Sequence, residues 1–80
     1  MKPSILLIED DSRLRSALLQ PLLLEGHEVV VATRISEAQA QLRQAENDFQ
    51  VVLLDLNLPD GNGEQLFDEL LRRDLSVVVI

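Results

Sequence analysis

Apolar and polar positions change period from block to block along the chain. Ile5-Leu6-Leu7-Ile8 is a continuous apolar run ended by Glu9-Asp10-Asp11, the pattern of a strand buried on both faces. A helical period follows. Leu14, Leu18 and Leu22 recur every four residues, Ala17 and Leu19 widen the stripe, Ser12 offers a cap and Gly26 a stop. Pro21 lies inside that stripe without the N–H that would bond to Ala17, and is expected to kink or divide the helix. Glu28 to Thr33, built on Val29-Val30-Val31, reads as a second strand. Ser36-Glu37-Ala38-Gln39 fits a capping box and predicts a helix to about Glu46. Phe49 to Leu54 reads as a third strand and Ser76 to Ile80 as a fourth. Between them, Gly63 or Glu64 to Arg73 reads as a helix with Leu66, Phe67, Leu70 and Leu71 on its apolar face.

The order βαβαβαβ with short connections predicts an α/β fold, a doubly wound parallel sheet covered by helices on both faces. Eighty residues with 46% hydrophobic content suffice for one small domain. Val77-Val78-Val79-Ile80 closes the chain with no turn, helix or polar tail. The expectation is therefore that residues 1–80 are the N-terminal two-thirds of a larger domain, with an open fourth-strand edge that favours self-association.

Composition narrows the function. The chain has no cysteine, which excludes disulfides and thiolate chemistry. Its apolar runs fall far short of the roughly 20 residues a membrane-spanning helix needs, and it has no secretory signal, so a soluble, cytoplasmic protein is expected. A formal charge of -7 disfavours direct contact with nucleic acid and suits a divalent cation or a basic partner.

The candidate chemistry lies at strand ends. In open parallel sheets, ligands sit beyond the carboxyl ends of the strands. Glu9 and Asp10 follow the first strand and Asp55 follows the third. If those strands are neighbours, about 4.8 Å apart, three carboxylates meet in one pocket, and a cation is the simplest relief of their repulsion. Oxygen-only donors with positions left for water suit Mg²⁺. Leu58-Pro59-Asp60-Gly61-Asn62-Gly63 then turns the backbone sharply, its two glycines permitting positive φ, and can aim a main-chain carbonyl such as that of Asn57 at the pocket. A calcium loop starting at Asp55 is excluded by Pro59, Asp60 and Leu66 at its fifth, sixth and twelfth positions. The plainer alternative is that the acids merely start a helix and cap a turn.

From "ILLIEDD" through "DLNLPDGNG" to "VVVI", the whole chain resembles the receiver domain of two-component response regulators. The resemblance implies a flavodoxin-like sheet of order 2-1-3-4-(5), incomplete in this chain. It implies Asp55 as phosphoacceptor and Mg²⁺ as cofactor, held by Asp10, Asp55 and the backbone carbonyl of Asn57, with Glu9 acting through water. The implied donor is the phosphohistidine of a sensor histidine kinase. The implied role is a signalling switch rather than an enzyme, with DNA contacted only through a separate output domain. The hydroxyl and lysine that receivers carry after the fourth and fifth strands have no counterpart within these residues. Lys2 is at the wrong end of the first strand, and Thr33 belongs to the second. His27 reads as a surface residue, Phe49 and Phe67 as core, and Arg13, Arg15, Arg72 and Arg73 as solvated. Two rivals remain. A phosphohydrolase of the haloacid dehalogenase kind would need a second aspartate at position 57, where Asn57 cannot transfer protons. An interaction module would keep the fold without phosphorylation.

Overall fold

Every strand expected from the sequence forms, and the strands lie side by side in one parallel sheet. The computed structural model describes residues 3–44 and 46–80, so Lys2 lies outside the described residues. The elements are β1 (Ser4–Ile8), α1 (Ser12–Leu24), β2 (Glu28–Ala32), α2 (Ile35–Arg43) and β3 (Val51–Leu54). A small hairpin of β4 (Asn57–Leu58) and β5 (Gly61–Asn62) follows. A 3₁₀ turn (Gly63–Leu66) then runs into α3 (Phe67–Leu71), and β6 (Ser76–Val79) is the fourth strand of the main sheet. The sheet order is β2-β1-β3-β6, the flavodoxin-like order. Ile8 pairs with Ala32 on one side and Leu54 on the other, and Leu54 with Val79.

Topology assigns the helices to faces. The step from β1 to β2 runs one way across the sheet, and the steps from β2 to β3 and from β3 to β6 run the other way. Right-handed crossovers therefore put α1 on one face and α2 with α3 on the opposite one. Alternation along the strands agrees. Leu6, Ile8, Val52 and Leu54 pack in one buried cluster with Ile35, Ala38 and Leu42 of α2 and Leu66 and Leu70 beside and within α3. Ile5 and Leu7, also buried, point to the α1 face. That face is thinly covered: no residue of α1 is buried.

The helix signals differ from expectation in instructive ways. Asp11, not Ser12, caps α1, its Oδ1 accepting from the amides of Arg13 and Leu14 at 2.9 and 3.1 Å. Pro21 does not divide α1, which continues to Leu24. Both Pro21 and Ala17 are exposed, so water can reach the carbonyl that the missing N–H leaves unpaired. The helix stops at Gly26, as expected, with φ at 86°. The His27 amide bonds back to Leu22 O (3.2 Å) and the Gly26 amide to Leu23 O (3.0 Å), a Schellman motif.

The capping box predicted for α2 does not form. The helix starts at Ile35, which puts Ser36 inside it, and it ends at Arg43 rather than near Glu46. Glu37 reaches back instead to the Thr33 amide and hydroxyl, both at 2.7 Å. The third strand begins at Val51 rather than Phe49, and Phe49 is buried in the core. The third helix is shorter than its apolar stripe suggests, because its first turn winds as 3₁₀.

Candidate functional site

Strand register builds the site. Asp55 extends the ladder one step past β3, its amide donating to Ile8 O at 3.0 Å, while the Glu9 amide donates to Ala32 O at 3.0 Å. Both chains then leave the sheet at the same end. As a result, one carboxylate oxygen from each of Glu9, Asp10 and Asp55 falls within 4.8 Å of the others. The three residues expected at the site are thus brought together, and they differ in exposure: Asp10 is exposed, Asp55 half-buried and Glu9 only 2% exposed.

Glu9 is the floor of the pocket. Its Oε2 accepts from the Asp11 amide at 3.1 Å, and its buried Oε1 has no hydrogen-bond partner among the described residues. Burial pushes its pKa up. The Asp11 amide opposes that shift, and the neighbouring Asp55 and Asp10 carboxyls add to it. An ionised, half-satisfied carboxylate in this position is costly, so the floor of the pocket calls for a positive charge or a proton.

Asp55 is oriented from its own loop. Its Oδ1 accepts from the Asn57 amide at 3.0 Å, so the contact of exposed Asn57 with Asp55 is through its amide rather than through the carbonyl expected at the site.

Three contributors were not legible beforehand. The Arg15 guanidinium, read as solvated, is half-buried and its Nη1 donates to the carbonyls of Glu9 and Asp10 at 3.2 and 3.3 Å. This places a cation behind the acidic turn without occupying a carboxylate. Gly63 does not have positive φ; of the loop glycines only Gly61 does, at 147°. Gly63 is required by proximity instead, since a Cβ there would overlap the Asp55 carbonyl oxygen and sit 3.1 Å from Leu56 Cα. Asp60 holds α2 from the hairpin tip. His27, expected at the surface, is half-buried with Nδ1 donating to Pro3 O at 3.2 Å, away from the acids.

The sequence matches the family model described as the response regulator receiver domain over residues 5–80. The chain belongs to that family. This receiver is similar to the response regulator protein FleR of Pseudomonas aeruginosa, with 42% identity over 82% of this chain and 14% of FleR. It is also similar to the transcriptional regulatory protein AfsQ1 of Streptomyces coelicolor, with 33% identity over 98% of this chain and 34% of AfsQ1. It thus spans about a third or less of these curated relatives. Among solved structures, the non-phosphorylated HemR receiver domain of Leptospira biflexa superposes with a TM-score of 0.84 at 40% identity, covering 98% of this receiver and 63% of that chain. Among the described residues, no helix is long and apolar enough to cross a membrane.

Proposed function

We propose that this receiver accepts a phosphoryl group on Asp55 from the phosphohistidine of a sensor histidine kinase, with Mg²⁺ as cofactor. The observation that carries the reading is the convergence of the Glu9, Asp10 and Asp55 carboxylates, with Asp55 itself half-buried. The donor set fits the ion. It is all oxygen, and the orphaned Glu9 Oε1 is an acceptor that a metal-bound water would satisfy. Asp10, Asp55 and the Asn57 carbonyl would hold the ion directly, with Glu9 acting through water. When bound, Mg²⁺ neutralises the acids and screens the repulsion between Asp55 and an anionic phosphoryl group.

The chain's own groups do the rest. The Asn57 amide holds Oδ1 and leaves Oδ2 to attack. An O–P bond forms as the P–N bond of the phosphohistidine breaks, giving an aspartyl phosphate. The site acts as a switch that carries the group, not as a catalyst of turnover. The kinase places the event in the cytoplasm, and DNA is contacted only through an output domain joined to the receiver, as the names of the relatives suggest. In this 80-residue form, β6 pairs only with β3 among the described residues, and Val78, Val79 and Ile80 are exposed. That edge would pair with a second copy.

Incubation with magnesium and a small acyl phosphate, followed by intact mass measurement, tests the assignment. The expected result is a gain of one phosphoryl group that Asp55→Asn abolishes. An adduct surviving in that variant places the acceptor elsewhere, continuous release of phosphate supports the hydrolase reading, and no reaction supports an interaction module.

A further inference from the structure

The amino end of α2 is held from outside its own segment. Its N-cap, Arg34, makes no side-chain capping bond. The amides of Ile35 and Ser36 donate instead to the two oxygens of the Asp60 carboxylate, at 2.7 and 3.0 Å. Asp60 lies in the two-residue turn between β4 and β5, whose ladder pairs Asn57 with Asn62 and Leu58 with Gly61.

That hairpin is a stiff link to the acidic pocket. At its entry the Asn57 amide holds Asp55 Oδ1 at 3.0 Å. Past its tip, Gly61 at φ 147° is pressed so closely that a Cβ would meet Gln65 Nε2 at 2.8 Å and Ile35 Cδ1 at 3.1 Å. At its exit the Gly63 amide donates to Leu56 O at 2.8 Å, with the Gly63 backbone directly against the Asp55 carbonyl. The hairpin is thus bonded to Asp55 at one end and, through Asp60, to the start of α2 at its tip.

We infer that Asp60 is a positioning residue of the acidic pocket: its two bonds to α2 fix the hairpin and thereby the Asn57 backbone that orients Asp55 and lines the cation site. The inference rests on the metal-site reading above. Residues that orient metal ligands from outside the coordination shell cost about tenfold or more in affinity when removed, and Asp60 acts one layer further out, so the lower end applies. Glu37 is the internal control. It is a second carboxylate at the same end of α2, but among the described residues its hydrogen bonds go to Thr33 and none to the hairpin. A general loss of negative charge at that helix end would show in both.

Magnesium titrations followed by the amide NMR signals of Asp55 and Asn57, in the wild-type chain and in Asp60→Ala, Asp60→Asn and Glu37→Ala, separate the possibilities. Asp60→Ala should raise the magnesium dissociation constant about tenfold. Asp60→Asn keeps one acceptor oxygen and should raise it less, and Glu37→Ala should leave it unchanged. Wild-type affinity in both Asp60 variants overturns the inference, as does an equal loss in Glu37→Ala. If Asp60→Ala does not fold, the contrast between Asp60→Asn and Glu37→Ala decides in the same way. A wild-type chain that binds no magnesium removes the metal-site reading itself, an outcome distinct from insensitivity to Asp60.

Discussion

α1 and α2 leave the carboxyl ends of adjacent strands and each begins at a carboxylate, yet they are held by opposite means. α1 takes its cap from Asp11, the residue before it, and buries no residue fully; Leu24 is 85% exposed. α2 has no cap of its own, but it buries Ile35, Ala38 and Leu42 and takes its cap from Asp60, 25 positions past Ile35. A local cap sets where a helix starts along the chain. A tertiary cap also sets where that start lies in space, which matters here because the capping residue belongs to the loop that follows Asp55.

The contrast predicts an order of effects. Leu42→Ala, at a position 3% exposed, should destabilise the fold by about 2–5 kcal/mol through lost burial and a residual cavity, read as a lower urea midpoint. A midpoint shift no larger than that of a surface substitution would mean that α2 is not anchored by its core face. Asp11→Ala removes the local cap of α1 and should cost about 1 kcal/mol. Since α1 has so little else, amide exchange should quicken in its first turn while α2 stays protected. Smaller still is the acid limb. The Ile35 amide, then that of Ser36, holds the Asp60 carboxyl below the usual range, and the Thr33 amide, then its hydroxyl, does the same for Glu37. Both folded values lie below the unfolded ones, so their stabilisation is complete above about pH 4–4.5. It is lost as pH falls through the depressed folded values. Urea midpoints measured across that range should fall less steeply in Asp60→Ala and Glu37→Ala than in the wild type, and an unchanged slope would count against the two bonds. Last, Leu14→Ala, at 44% exposure on α1, should change stability by no more than about 0.5 kcal/mol; a larger loss in calorimetry would show that the α1 face packs more tightly than described.

The strands and the three acids were legible because each rests on a signal contained in one short window. A run such as Val51-Val52-Leu53-Leu54 has few alternatives to a buried strand, and the sheet order then brings Asp55 beside Glu9 without further information. What escaped is what depends on distant partners. Ser36 and Gln39 satisfy the capping pattern as text, but Asp60 takes the Ser36 amide that the pattern would use, and the N-cap falls two residues earlier, at Arg34. Arg15 sits among charges that look solvated, and only the turn of Glu9 and Asp10 over the start of α1 gives its guanidinium two carbonyls to hold. Pro21 was expected to kink or divide α1 because the rule concerns the lost bond; the helix runs on undivided, and the exposure of the site, which makes that loss tolerable, is a tertiary fact. Gly63 was read for its freedom of φ, although its use is its lack of volume.

That last distinction changes what position 63 is. With the Gly63 backbone against the Asp55 carbonyl and its amide on Leu56 O, the residue works as a gauge block, setting the clearance between the end of β3 and the turn into α3. A larger side chain could not be absorbed at the surface, because the residue is buried and the nearest atom is the Asp55 main-chain oxygen. The displacement would be delivered to the Asp55 peptide, so a carboxylate of the acidic cluster would register a substitution eight positions downstream, in a residue that bears no functional group at all.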